Sequence, residues 1–140
     1  MTNPDAAQRK ILFVDDDPLV RTSFARCARA WGYLPDVAAS GEEALALMNA
    51  WTYSVVVTDI HMAGMGGWVL LERISHLAPE TLCLVITGDV SVPSRVRSLP
   101  VLKGVLHKPI HPESLRVVLD GLFEPPGEPG PASSGPFELK

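Results

Sequence analysis

With two cysteines in 140 residues, the chain lacks the means for a disulfide framework. Cys27 falls on a predicted helix face and Cys83 in a predicted buried strand, so both read as reduced core thiols rather than a bridge or a metal pair. Basic charge is also scarce. Twelve Lys and Arg against 16 Asp and Glu leave a net charge of −4 and a pI near 5.5, which is no footprint for nucleic acid or an anionic membrane surface. Direct DNA binding would need another domain. No apolar run approaches the roughly 18 residues of a membrane span. The opening MTNPDAAQRK has no signal-peptide apolar core, and the expectation is a cytoplasmic chain with no membrane contact. Three tryptophans, at 31, 51 and 68, are too dispersed for a stacking platform; they read as core or edge fillers, with Trp68 the one to expect at the surface.

What is present is an alternation of short apolar runs and helical periodicities, in a chain long enough for one domain. Residues 1–9 are a polar leader. Lys10 to Val14 is a strand followed by Asp15, Asp16 and Asp17, and Pro18 then opens a helix capped by Asp17. Val20, Phe24, Cys27, Ala28 and Trp31 share one face of that helix. Leu34 to Ala38 is a weak second strand because of Pro35, and Ser40-x-x-Glu43 is a capping box opening a helix through Trp51. Tyr53 to Thr58 is a β-branched run ending at Asp59. Gly67 to Leu77 is a helix with Leu70, Ile74 and Leu77 inward, and Leu82 to Thr87 is a fourth strand. Pro93 and Pro100 allow only a short fourth helix, Gly104 to His107 is a fifth strand, and a last helix follows Pro112 with Leu115, Val118, Leu119 and Leu122 inward. The fold class is therefore α/β, a doubly wound five-stranded parallel sheet of order 2-1-3-4-5 with right-handed crossovers over residues 10–123. Residues 124–140 hold five prolines and three glycines and read as a disordered tail or linker stub.

That strand order gathers chemistry at one edge. The carboxyl ends of strands one, three, four and five bring Asp15 and Asp16, Asp59, Thr87 and Lys108 to a single crevice, where open α/β sheets hold ligands. A carboxylate at a strand end can simply stop the strand; several converging carboxylates need a cation, and a hard divalent ion such as Mg²⁺ suits oxygen ligands. One carboxylate could then attack phosphorus, with the Thr87 hydroxyl and the Lys108 ammonium stabilising the phosphoryl oxygens.

With these residues in place, the chain resembles the receiver domain of bacterial two-component response regulators over residues 10–123. The acids after ILFV, Asp59 after VVVT, Thr87 ending LVIT, and Lys108-Pro109 after GVLH carry the likeness. The resemblance implies the flavodoxin-like receiver fold, with Asp59 as phosphoacceptor and Thr87 and Lys108 as phosphoryl contacts. It also implies Mg²⁺ held by Asp16, by Asp15 through water, by Asp59 and by the backbone carbonyl of His61. It further implies a cis Lys108-Pro109 bond, and a phosphoryl donor that is a histidine kinase or histidine phosphotransfer protein. Output would pass to a downstream protein target or output domain, and the domain would be a signalling switch rather than an enzyme. The chain departs from the family at Ala63, usually proline, at Gly66, often an acid, and at Val105, usually a larger switch residue.

Rival readings find less support. Gly64-x-Gly66 suggests a dinucleotide loop, but the third glycine position is Val69. An aspartyl-nucleophile phosphatase of the haloacid dehalogenase type wants D-x-D, and here the pattern is Asp59-x-His61. His107 and His111 flank Lys108-Pro109-Ile110, which prevents a helical metal pair. A receiver-like interaction module that works without phosphorylation would not need the intact acids, threonine and lysine.

Overall fold

The computed structural model describes residues 9–88, 92–123 and 137–139. The apolar runs form strands β1 (Lys10–Val14), β2 (Leu34–Ala38), β3 (Val55–Asp59), β4 (Leu82–Thr87) and β5 (Leu102–His107). Between them lie α1 (Pro18–Ala30), α2 (Gly41–Ala50), α3 (Gly67–Leu77), α4 (Ser94–Arg97) and, after β5, α5 (Pro112–Phe123). All pairings are parallel and these strands run 2-1-3-4-5 across the sheet, so the predicted order holds. β2 is the edge strand, which is where Pro35 can be tolerated, since its missing N–H need not face a neighbour.

Helices cover both faces, and alternate strand residues divide between two cores. Leu12, Val14, Val56, Val85 and Val105 pack with Ala44 of α2, Leu70, Leu71 and Ile74 of α3 and Val96 of α4. Ile11, Phe13, Val57, Leu84 and Leu106 pack with Ala28 of α1 and Leu115, Val118 and Leu119 of α5. Burial on both sides is why the strands read as continuous apolar runs rather than as alternations.

Several boundaries differ from expectation. β3 begins at Val55 and includes Asp59; Tyr53 is instead a buried residue ahead of it, with its hydroxyl donating to Asp36 Oδ2 at 2.6 Å. β5 starts two residues early, at Leu102. Leu77 is exposed at the last turn of α3. Trp51 rather than Trp68 is the exposed tryptophan, and Lys10 Nζ lies 5.1 Å from its ring. Both cysteines are free thiols, as expected.

The largest difference is a sixth strand, β6 (Phe137–Leu139), parallel to β5 with Gly104 opposite Phe137 and Leu106 opposite Leu139. For these three residues the reading of a structureless tail is corrected. Composition misses such pairing because the main-chain donors and acceptors of a sheet edge recruit a strand whatever its side chains. Residues 124–136 lie outside the described residues. Among the described residues, no helix is long and apolar enough to cross a membrane.

Candidate functional site

The crevice is built by strand ends. β1 ends at Val14, so Asp15 and Asp16 leave the sheet beside the end of β3, whose last residue is Asp59. Asp17 caps α1 by accepting the Leu19 N–H at 2.9 Å, which keeps it apart from the cluster, as predicted. Asp15 and Asp59 are buried while Asp16 is exposed, and each offers a carboxylate oxygen such that all three atoms lie within 4.8 Å of one another.

Lys108 follows β5 directly and its Nζ lies 2.9 Å from Asp59 Oδ2. The other Asp59 oxygen accepts the Ile60 N–H at 2.6 Å and the His61 N–H at 3.3 Å, so the carboxylate is oriented on both sides. Thr87 is fully buried at the end of β4, and its carbonyl accepts the Lys108 N–H at 2.9 Å. The Lys108-Pro109 bond is cis.

Charge sets the protonation tendencies. Burial pushes the Asp15 carboxyl above its ordinary value; the Asp17 N–H on Asp15 Oδ1 at 2.9 Å opposes this, and the Asp59 and Asp16 charges add to it. Burial alone would lower the Lys108 ammonium, but its hydrogen bond to Asp59 and the charges of Asp59, Asp15 and Asp16 outweigh that and hold it above the usual lysine range. Three crowded acids with one ammonium leave an excess of negative charge, and an all-oxygen donor set fits a hard divalent cation such as Mg²⁺. The backbone of His61 borders the crevice, since its N–H reaches Asp59 Oδ1, and its side chain is exposed.

Two contributors escaped the sequence reading. Arg21, one turn into α1, donates from a guanidinium nitrogen to the Asp15 carbonyl at 2.8 Å and so fixes the acidic turn from the helix side. Gly67 lets α3 start against the end of β3: a Cβ there would lie 2.4 Å from the Asp59 carbonyl oxygen. Its position just after the loop was the only available signal. His107 and His111 take no place in the acidic cluster.

A doubly wound sheet with this acidic crevice is the flavodoxin-like receiver fold. The chain belongs to the response regulator receiver domain family, whose pattern it matches over residues 11–120. It is similar to the transcriptional regulatory protein ZraR of Escherichia coli, 33% identical over 111 residues, 79% of this chain and 25% of that protein. The C4-dicarboxylate transport transcriptional regulatory protein DctD of Rhizobium meliloti is 30% identical over 94 residues, 67% of this chain and 20% of that one. The match thus spans a fifth to a quarter of these relatives' lengths. Among solved structures, the chemotaxis response regulator CheY4 of Vibrio cholerae is similar with a TM-score of 0.74 and 28% identity, covering 82% of this chain and 98% of that one. The beryllofluoride-activated NtrC4 receiver domain matches with a TM-score of 0.73 and 25% identity, covering 82% and 96%.

Proposed function

We propose that this chain is a cytoplasmic phosphoacceptor receiver in which Asp59 takes a phosphoryl group from a histidine kinase or histidine phosphotransfer protein and thereby switches contacts with a downstream target or output domain. The observation that carries this reading is Asp59 itself: buried at the strand end, salt-bridged to Lys108 and joined by two further carboxylates within 4.8 Å. An Asp59 oxygen forms a bond to phosphorus as the donor's N–P bond breaks and imidazole departs. Lys108 is within reach of the oxygens that then carry the charge, and Thr87 stands on the adjacent strand as a hydroxyl donor to them. Asp15, Asp16, Asp59 and the His61 carbonyl would hold Mg²⁺. When bound, the ion supplies positive charge that offsets the repulsion between the carboxylates and the incoming phosphate. The chemistry is self-directed, so the domain is a signalling element rather than a turnover enzyme.

A groove of about 660 Å³ opens beside the crevice, running from Asp15 and Lys108 past Leu19, Phe24, Trp31 and Ile110. Leu19 is 77% exposed at its rim. Such an apolar floor next to the nucleophile suits the amphipathic helix that would present a phosphohistidine.

The test is acetyl phosphate with Mg²⁺, read by intact-protein mass. One added phosphoryl group is expected on the wild type and none on Asp59→Asn; equal labelling of the variant would refute the assignment.

A further inference from the structure

We infer that Met65, seated against Gly41 at the start of α2, is a positioning residue that fixes the loop orienting the Asp59 carboxylate. The inference rests on the phosphoacceptor reading and names a control of that same site. Asp59 Oδ1 is held by the amides of Ile60 and His61, the first residues of the loop from Ile60 to Gly66. The neck of that loop is closed by the Gly67 N–H donating to the Ile60 carbonyl at 3.0 Å. Its far end has a different anchor.

Gly41 is buried, and a Cβ there would lie 2.9 Å from Met65 Sδ, 3.0 Å from Cγ and 3.1 Å from Cβ. Because Met65 Cβ, which rotation of the side chain does not move, would itself lie at 3.1 Å, an added methyl requires the loop or the start of α2 to give by a few tenths of an ångström. Met65 is half-buried and packs onto the core that includes Ala44 and Leu70. The next residue of α2 reaches the same loop: a Cβ on Gly64, whose φ is 76°, would meet Glu42 Oε2 at 3.1 Å.

The anchoring helix is itself fixed. Ser40 Oγ accepts the Glu43 N–H at 3.1 Å, and two residues earlier the Ala38 carbonyl accepts the Asp15 N–H at 3.1 Å. The β2–α2 junction therefore touches the acidic turn through Asp15 and the phosphoacceptor loop through Met65. Sites held by supporting contacts of this kind lose function when the support loosens, even with every ligand residue intact.

The experiment uses the full chain with Gly41→Ala, Met65→Ala and Met65→Leu, reading Mg²⁺ affinity, thermal midpoint and hydrogen exchange of residues 60–66. Gly41→Ala and Met65→Ala should each weaken Mg²⁺ binding roughly tenfold and speed loop exchange, while Met65→Leu, which still fills the notch, stays near wild type. The added methyl at Gly41 overpacks a buried site and should lower the midpoint as well. The role is therefore read from exchange that quickens in residues 60–66 alone and from its recovery, with metal affinity, in Met65→Leu, a pattern that a general loss of stability would not produce. Wild-type affinity in both alanine variants would overturn the inference. If the wild type itself bound no Mg²⁺, the phosphoacceptor reading would be at fault, and the exchange arm would still decide: faster loop exchange supports the anchor and unchanged exchange refutes it.

Discussion

At the scale of single residues, the same carboxylate chemistry serves two purposes in this chain, and surroundings decide which. Asp15 and Asp59 are buried beside each other and so carry a mutual repulsion that a bound cation would relieve. Asp36, at the other edge of the sheet, is a structural carboxylate: it accepts the Tyr53 hydroxyl and pairs with Lys10 Nζ at 2.9 Å. Partial burial opposes its ionisation, but the Tyr53 hydrogen bond, the Lys10 hydrogen bond and the Lys10 charge prevail and hold its carboxyl below 3.8. A depressed carboxylate stabilises the fold fully above its unfolded value, and that contribution is lost as the pH falls through the folded value. The unfolding midpoint should therefore drop below about pH 4, and Asp36→Asn should flatten that slope. Because the side chain is 36% exposed, the cost of the variant at neutral pH should be small, about 0.5 kcal/mol. An unchanged acid slope in urea titrations at pH 3 to 6 would remove Asp36 from this role.

At the scale of elements, legibility followed the range of the interactions. Asp59, Asp15, Asp16 and Lys108 could be placed because each ends or follows a run whose apolar character fixes it as a strand, and the parallel order then dictates that the ends converge. Asp17 and Ser40 could be assigned because capping is local. The Met65–Gly41 contact, the Tyr53–Asp36 bond and β6 could not, because each joins segments whose approach only the finished fold defines. Val105 belongs to the same argument: it is buried, β-branched and packed in the cluster that holds Val96, with no room or length for a large rotamer swing. The switch should instead run through the stretch from Gly88 to Leu102. Residues 89–91 of it lie outside the described residues; α4, which follows, has four residues and buries Val96. Its pairing of Arg95 with Glu72 at 3.5 Å is exposed and contributes little. Hydrogen exchange with and without beryllofluoride, standing in for the phosphoryl group on Asp59, should change most across residues 88–102. Changes confined to α5 would sink this expectation.

For the molecule as a whole, the question is where the folding unit ends. Both cores close within residues 10–123: α5 seals one face through Leu115, Val118 and Leu119, and α2, α3 and α4 seal the other. β6 pairs with β5 at the edge of the sheet. We propose that residues 10–123 are the autonomous receiver and that β6 is an accessory strand. Its three-residue ladder contributes on the order of 2 kcal/mol if each of a few main-chain bonds gives about 1 kcal/mol. For a domain of this size that corresponds to a shift in midpoint of roughly 4 to 10 °C. A chain ending at Phe123 should therefore unfold cooperatively a few degrees earlier, with Mg²⁺ affinity and acetyl phosphate labelling of Asp59 unchanged, since none of the crevice residues lies on β6. Amides of β5 that face β6 should exchange faster in the shortened chain than in the full one. Loss of cooperative unfolding in the shortened chain would instead make β6 part of the core unit and move the domain boundary past Leu139.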